Sequence, residues 1–330
     1  MSTDDSQKGE FERLLKAFRS AQKRGDFEQA ESIGVQCLAF ASEEAERNPS
    51  ESLSLVQEAH EHEEAARWEQ AEAAHQRALA LAQAEGNEVM ICKAHDNLRS
   101  LYAICGTVDK ALQAARAAVE AARKTDVTPL LLMALGGLFQ CHLMKGDMTS
   151  AAAIAEEAVQ ITPAENMYDG QRARALLMRA RCRLEQQQVS QAEQDLEVAW
   201  RVLAPQANAT MFAGIQGSLA VWWEITARIK TQSKDFAAAA QAMGKAVEFR
   251  RTVSQLPQIT GLHKHHALAK LLQEYSVALR AEGKVEAATA AFNESQNIQQ
   301  KTGIAIPLAG TPPALSPGLS TGSDRSPAPV

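Results

Sequence analysis

Apolar residues recur along the chain at helical spacing, and the helical stretches come in pairs. The clearest pair covers 86–126, where two helical patterns are joined by a turn that begins at Gly106. Apolar side chains three and four residues apart lie on one face of a helix, so each pattern predicts an amphipathic helix. Weaker copies of the pair recur from one end of the chain to the other, which predicts a repeated helical hairpin.

The copies align on an alanine that follows each turn. Successive alanines are 41, 40, 40, 41, 47 and 49 residues apart, and they are Ala30, Ala71, Ala111, Ala151, Ala192, Ala239 and Ala288. A second small residue comes seven positions after each of these anchor alanines: Cys37, Ala78, Ala118, Ala158, Ala199, Ala246 and Ser295. Antiparallel helices approach closely only where their contact residues are small. Both sets are therefore predicted to lie where the two helices of a hairpin touch.

A large apolar residue precedes each anchor alanine by three positions and is predicted to pack against the first helix of its unit. These residues are Phe27, Trp68, Val108, Met148, Val189, Phe236 and Val285. Two positions earlier, four of the seven copies have glycine: Gly25, Gly106, Gly146 and Gly283. A glycine there is predicted to end the first helix with a positive φ angle.

The prolines mark the same unit boundaries. Outside the C-terminal segment they are Pro49, Pro129, Pro163, Pro205 and Pro257, each between the end of one unit and the start of the next. Proline inside a helix costs about 3 kcal/mol, so these positions favour the boundaries. Seven units of two helices each predict fourteen helices. The first helices are predicted near 9–24, 51–65, 88–105, 129–145, 167–187, 208–232 and 262–282, and the second helices near 27–47, 68–85, 108–125, 148–161, 190–203, 235–253 and 285–301.

This pattern resembles the tetratricopeptide repeat family, in its longer form with a period of about 40 residues. The third unit has Leu98, Tyr102, Gly106, Ala111 and Ala118 at family positions, and the fourth has Leu135, Leu138, Gly146, Ala151, Ala158 and Pro163. The resemblance covers about 11–301, although Arg99 and Val108 depart from the family's preferred Gly and aromatic residues. It implies an all-α, right-handed solenoid of about seven antiparallel helix pairs over 9–302.

The two ends of the chain have a different composition. Residues 303–330 hold six of the eleven prolines and almost no charged or aromatic residues. Such a segment buries too little apolar surface to offset the entropy of ordering, so we predict a disordered Pro/Ser/Gly-rich tail and a disordered N-terminus over 1–8. A proline-rich ligand for an aromatic groove is a less favoured interpretation, because the tail lacks a basic residue beside a clear PxxP core.

Composition and charge narrow the function classes. The chain is 45% hydrophobic but only 5% aromatic, and its net charge is -6. An acidic chain has no overall attraction for nucleic acid or anionic lipid, so neither is predicted as a partner. The uncharged runs 127–144 and 202–223 contain proline and several polar residues, which favours buried helices over membrane spans. The first residues contain no apolar segment of a secretory signal peptide. The five cysteines form no close pair in the sequence and lie within helical patterns, which favours reduced thiols in the cytoplasm.

The sequence contains no catalytic motif, so the chain is predicted not to be an enzyme and to need no cofactor. The only dense metal-ligand candidates are His60-Glu61-His62 and the group of His263, His265 and His266. The first lacks the HExxH spacing that places two imidazoles on one helical face, and His62 would meet His266 only through long-range folding. Solvated helix surfaces are the favoured interpretation, and no metal site is predicted.

The family resemblance also implies a binding surface, because the first helix of each unit lines the inner groove. The groove residues carried over are Met133, Gly136, Gly137, Gln140, Leu143, Met144, Arg174, Leu177, Met178, Arg181, Arg228, Lys270 and Arg280. The middle of this set is apolar, with paired glycines that would let a ligand backbone come close. The second half is basic. The set indicates a protein or peptide partner with an apolar face and acidic flanks, either helical or extended; the alternative is that these residues are core and solvated surface.

The favoured function is therefore a cytoplasmic adaptor that binds a partner peptide or helix in the groove of the superhelix. The alternatives are a peptide-responsive regulator and a self-assembling scaffold. A clamp for the terminal carboxylate of chaperones is disfavoured, because Leu15, Arg19 and Gln57 stand at three of the places where that clamp needs other residues. The sequence does not identify the partner.

Overall fold

Consecutive helical pairs build the whole described part of the chain. The computed structural model describes 51–162, 170–208, 212–256, 262–304 and 306, together with 10, 12–14, 16–21, 24–26, 29–30, 32–34 and 36–37. The first helices of units two to seven are α1 (Glu51–Glu64), α3 (Glu88–Ile104), α5 (Thr128–Lys145), α7 (Gly170–Glu185), α9 (Ala213–Gln232) and α11 (His263–Glu282). The second helices are α2 (Trp68–Ala84), α4 (Val108–Arg123), α6 (Met148–Gln160), α8 (Val189–Leu203), α10 (Phe236–Gln255) and α12 (Val285–Thr302).

The all-α prediction is confirmed. A short 3₁₀ helix, Ala204–Gln206, follows α8, and the described residues between 10 and 37 include helical residues of the first unit on both sides of Gly25. No strand occurs among the described residues. Each helix packs against the next in the chain, which gives the stacked hairpins of a solenoid.

The anchor alanines lie at the predicted helix contacts. All seven are no more than 1% exposed, and the small residues seven positions later are equally buried in units two to seven. Cys37 in the first unit is partly exposed. Small side chains therefore set the close approach of the two helices in each hairpin.

The prediction for the large residue at the start of each second helix holds only in part. Trp68, Val108 and Met148 are partly buried, as is Val189. Phe236 is 38% exposed and Val285 is 63% exposed, so the prediction is wrong for the last two units. Val285 begins α12, and no helix follows α12 among the described residues. The side chain of Phe27 lies outside the described residues.

A left-handed residue ends the first helix at every hairpin turn of the described units. The four predicted glycines have φ between +71° and +92°. The other three turns place Ala66, Gln187 and Lys234 at the equivalent position, with φ of 53°, 62° and 62°. A residue with a Cβ pays about 1–2 kcal/mol in this conformation, so these three turns are conformationally strained.

Replacing Gly146 with alanine should lower the free energy of unfolding by about 1 kcal/mol, because alanine disfavours the left-handed turn. The added Cβ would meet no heavy atom within 4 Å, so the cost is conformational alone. The reverse change, Gln187→Gly, should be neutral or slightly stabilising. Urea denaturation followed by circular dichroism would measure both. Gly214→Ala is the control, because Gly214 has equal space and no positive φ; equal effects of the two alanine variants would contradict the prediction.

The hydrophobic core is a continuous seam along the array. One buried cluster spans α3 to α7, a second spans α7 to α9, and a third spans α9 to α12. Neighbouring clusters share α7 and α9, so each unit completes the core of the next. Among the described residues, no helix is both long enough and apolar enough to cross a membrane.

The array curls so that its first three units contact its last two. The rings of Phe18 in the first unit and Phe212 before α9 are 5.9 Å apart in an edge-to-face contact. Ile104 in α3 forms a buried cluster with Leu262 and Ile304 from the last unit. These contacts join residues more than 150 positions apart in sequence. The early and late units are therefore joined by contacts across the curl of the array.

Two residues of the predicted tail belong to this closing contact. Ile304 is buried, and Ile306 packs against the same cluster from outside. The remainder of the predicted tail, 307–330, and the predicted disordered N-terminus, 1–8, lie outside the described residues.

Candidate functional site

A cavity of about 280 Å³ opens in the inner wall where the fourth, fifth and sixth units meet. The first helices α5, α7 and α9 supply twelve of its lining residues, and α10 supplies one. The lining consists of Gly136, Phe139, Gln140, Arg174, Leu177, Met178, Arg181, Ala213, Gly214, Gly217, Ser218, Val221 and Arg250. The cavity is thus a feature of the stacked first helices.

Small residues create this cavity, and apolar residues form part of its wall. Gly214 and Gly217, with Ala213, remove bulk from the start of α9, since glycines three residues apart lie on one helical face. Phe139 and Leu177 are almost fully buried, at 1% and 2% exposure. The cavity therefore combines room, apolar surface and the polar ends of a few side chains.

The two glycines of α5 make room for arginines of the chain itself. A Cβ on Gly136 would lie 2.6 Å from Nη2 of Arg174, and a Cβ on Gly137 would lie 2.7 Å from Nε of Arg99. Arg99 is held in place by Asp96, whose Oδ1 accepts a hydrogen bond of 2.6 Å from Arg99 Nε. In this structure the space above the two glycines thus holds the guanidinium groups of Arg174 and Arg99.

A carboxylate at the centre of the inner wall is surrounded by cations. Glu224 in α9 lies 3.0 Å from Arg228 and 3.8 Å from Arg181, and its side chain is 14% exposed. Burial raises the pKa of Glu224, but Arg181, Arg228, Lys270 and Arg250 lower it by more, so the net shift is downward. Glu224 is therefore ionised at neutral pH and neutralises part of the basic wall.

Two further arginines of the cavity, Arg174 and Arg250, have no carboxylate of a described residue within ion-pair distance, although Asp96 and Glu224 act on them from further away. Neither Arg174 nor Arg250 forms an ion pair or hydrogen bond with any described residue, and Nε of Arg250 is buried without a partner. Burial lowers the pKa of Arg250, Glu224 raises it, and the nearby charge of Arg174 lowers it, with a net downward shift. The guanidinium of Arg174 is exposed to the cavity. Two like charges that repel each other in a partly enclosed space favour a bound anion.

The structure brings six of the thirteen predicted groove residues into this cavity: Gly136, Gln140, Arg174, Leu177, Met178 and Arg181. The other seven lie elsewhere. Met133 and Leu143 are partly buried against the core cluster around α5, and Gly137 lies beneath Arg99. Arg228 pairs with Glu224, while Met144, Lys270 and Arg280 are exposed outside the cavity.

The sequence reasoning missed Arg250 because it considered only first helices, whereas Arg250 lies near the end of the second helix α10. It also missed Gly214 and Gly217 in α9. Their spacing beside Ala213 was a usable signal, because a run of small residues on one face of a first helix predicts a depression in the wall. No local signal distinguishes Arg250 from a solvated arginine.

The histidines considered from the sequence have the following neighbours in the structure. His60 lies beside His75 of α2, with ring centroids 5.7 Å apart. Nε2 of His62 lies 3.8 Å from a carboxylate oxygen of Glu58, one turn earlier on the same helix. The side chain of His263 lies outside the described residues, so the group of His263, His265 and His266 is described only in part.

The sequence matches no protein-family model, and no curated protein matches it significantly. Solved structures of similar fold include a Rap protein complexed with Competence and Sporulation Factor, with a TM-score of 0.56 and 13% identity over 87% of this chain and 74% of that one. The apo form of RapI has a TM-score of 0.54 and 11% identity, covering 88% and 98%. A tetratricopeptide repeat protein from Parabacteroides merdae has a TM-score of 0.40 and 12% identity, covering 77% and 98%. These likenesses concern the fold.

Proposed function

We propose that this chain, which has the helical-repeat fold of tetratricopeptide repeat proteins, is an interaction scaffold that binds an acidic segment of a protein or peptide partner in its inner cavity. The observation that carries the proposal is the pair Arg174 and Arg250, two cations that form no ion pair or hydrogen bond with any described residue and that line a cavity with an apolar wall. A carboxylate placed between them would form charge-assisted hydrogen bonds and relieve their mutual repulsion. The Rap protein solved with Competence and Sporulation Factor agrees with this kind of role for the fold.

The size of the cavity limits what enters it. A volume of about 280 Å³ is at the small end of ligand-binding pockets. An α-helix with its side chains is about 10–12 Å wide, so a helix does not fit inside. We therefore favour an extended segment that inserts one or two residues, with an acidic group at the arginines and an apolar group against Phe139 and Leu177.

The cysteines support a binding role in a reducing compartment, which we take to be the cytoplasm. All five are free thiols, and four are buried. Burial, aided by the carboxylate of Asp96, raises the pKa of Cys92 to about 11, and burial likewise raises that of Cys182 to about 11. These thiols stay protonated at neutral pH and are poor nucleophiles. We propose that the chain acts by binding and not by catalysis.

The proposal is tested by selecting peptides from a random library with the full chain and measuring the affinity of the best peptide by fluorescence anisotropy. We expect selected peptides to carry Asp or Glu beside an apolar residue. The double variant Arg174→Gln/Arg250→Gln should bind such a peptide 10-fold to 100-fold more weakly, since each lost charged hydrogen bond is worth about 1 kcal/mol or more. Arg181 is a poor choice for this test because it also pairs with Glu224.

Arg116→Gln is the matched control, because Arg116 is exposed on α4 and does not line the cavity. It should bind the peptide as the natural chain does, apart from a small change at low salt. If the double variant binds as tightly as this control, the cavity is not the binding site. If no peptide is enriched, the scaffold proposal fails in its peptide-binding form.

The contact between the third unit and the last unit favours a peptide-responsive regulator as the second candidate function. Ile104, Leu262 and Ile304 hold the array closed through a small apolar cluster, and the cavity lies in the wall of the same array. A ligand with different affinities for a closed and an open array would shift the balance between them. Small-angle scattering with the selected peptide separates the two candidates: a regulator changes its radius of gyration on binding, whereas a static scaffold keeps it.

A further inference from the structure

A second polar cluster lies away from the cavity, where the second unit meets the last one. His60 and Glu63 are three residues apart on α1, so they share one helical face, and His75 faces them from α2. Glu63 is 4% exposed and His75 is fully buried. Each of the three side chains offers one ligand atom, and these atoms all lie within 4.8 Å of one another.

We infer that His60, Glu63 and His75 form a binding site for a divalent transition-metal ion, in the first place Zn²⁺. Two imidazole nitrogens and one carboxylate oxygen are a donor set that zinc accepts, with a fourth position left for water. Imidazole also suits the neighbouring metals cobalt and nickel, whereas the absence of further oxygen ligands from the set disfavours calcium and magnesium.

The geometry is close to what zinc requires. Zinc binds histidine nitrogen at about 2.0–2.1 Å and carboxylate oxygen at about 2.0–2.2 Å, so neighbouring ligand atoms in a tetrahedral site are about 3.3 Å apart. Oε1 of Glu63 and Nε2 of His75 are 2.9 Å apart. The ring nitrogen of His60 lies within 4.8 Å of the other two ligand atoms. It therefore needs to move by at most about 1.5 Å to reach the separation of about 3.3 Å in a tetrahedral zinc site. His60 is only partly buried, so its ring has room to rotate.

A metal site explains the arrangement of all three side chains, whereas a hydrogen bond explains only two of them. A hydrogen bond between Glu63 and His75 accounts for two members of the cluster, but the ring nitrogens of His60 make no hydrogen bond to any described residue. The second oxygen of Glu63 accepts a hydrogen bond of 3.4 Å from the backbone nitrogen of Leu262. Outer contacts of this kind orient a ligating carboxylate.

The position of the site gives metal binding a structural consequence. Glu63 contacts both the proposed metal position and Leu262, and Leu262 belongs to the cluster that closes the array. A metal bound by α1 and α2 would therefore fix the carboxylate that meets the last unit. This inference does not depend on the cavity or on the proposed peptide ligand.

The test uses the full chain without an affinity tag, stripped with a chelator and titrated with Zn²⁺ against a chromophoric competitor. We expect one Zn²⁺ per chain and a higher melting temperature in its presence. Co²⁺ should give the intense visible absorption of a four-coordinate site. His60→Ala should weaken Zn²⁺ binding at least 10-fold while the helical circular dichroism stays unchanged, because His60 is the least buried ligand. Glu63→Gln, which keeps the size of the side chain, should do the same.

His95→Ala is the matched control, because His95 is a partly buried histidine on α3 outside the cluster. It should bind one Zn²⁺ as the natural chain does. The inference is overturned if the natural chain binds less than one Zn²⁺ at micromolar concentration, or if His60→Ala and Glu63→Gln bind it as tightly as His95→Ala.

Discussion

Replacing the anchor alanine Ala151 with leucine is expected to lower the free energy of unfolding by about 3 kcal/mol, at the upper end of the cost of overpacking a core. Ala151 is fully buried, and it lies in the core cluster that contains Leu135 and Phe139 of the partner helix α5. Its side chain occupies the closest approach of α5 and α6. The extra carbon atoms of leucine have no space there unless the helices move apart, which would uncover apolar surface in both.

The same helix provides the control. Ala153 is exposed, two residues further along α6, so Ala153→Leu changes helix propensity by the same amount without entering the contact. It should change the free energy of unfolding by less than about 0.5 kcal/mol. Urea denaturation monitored by circular dichroism measures both variants. Similar stabilities for the two would show that Ala151 does not set the distance between the helices.

The anchor alanines explain why the fold could be predicted so closely. They are local features: a small residue, a turn and a second small residue recur at a nearly constant period. The predicted helix at 148–161 corresponds to Met148–Gln160, and the one at 88–105 corresponds to Glu88–Ile104. The predicted helix 167–187 extends past the observed end at Glu185, because the residue type at Gln187 gives no signal for the left-handed turn found there.

The closure of the array could not be predicted from the same pattern. Small rotations between neighbouring units add up along a solenoid, and whether Phe18 meets Phe212 depends on their sum. No local sequence feature predicts the sum of these rotations. For the same reason the contact of Leu262 with Ile104 had no signal in the sequence.

About half of the residues predicted for the groove line the cavity in the structure. The rule that first helices line the inner wall found Arg174 and Leu177, because it depends only on the position of a residue within its repeat. It could not tell that Arg181 is neutralised by Glu224 while Arg174 is not, since that difference depends on side chains from separate units. His75 escaped notice likewise, because its approach to His60 requires the packing of α2 on α1.

Replacing Glu224 with glutamine is expected to lower the free energy of unfolding by about 3 kcal/mol at pH 7, because it removes the carboxylate that the partly buried Arg181 and Arg228 share, although Arg228 keeps its pairs with Glu185 and Glu274. Glutamine keeps the size and part of the hydrogen bonding of glutamate, so the loss reports mainly on charge. Arg181 and Arg228 would then repel each other and Arg250 across the inner wall. Glu193→Gln is the control, since Glu193 is exposed on α8 outside this network, and it should have little effect.

The stability lost in Glu224→Gln should depend on pH in a defined direction. The surrounding cations hold the pKa of Glu224 below its ordinary value of 4.5, even though burial opposes them. A carboxyl group with a depressed pKa in the folded state stabilises the fold fully above its unfolded pKa, and this contribution is lost as the pH falls through its folded pKa. The difference in unfolding free energy between the natural chain and Glu224→Gln should therefore be constant from pH 7 down to about pH 5 and shrink below about pH 4.5. Urea denaturation at a series of pH values measures this difference, and a difference that grows on acidification would show that the cations do not depress the pKa of Glu224.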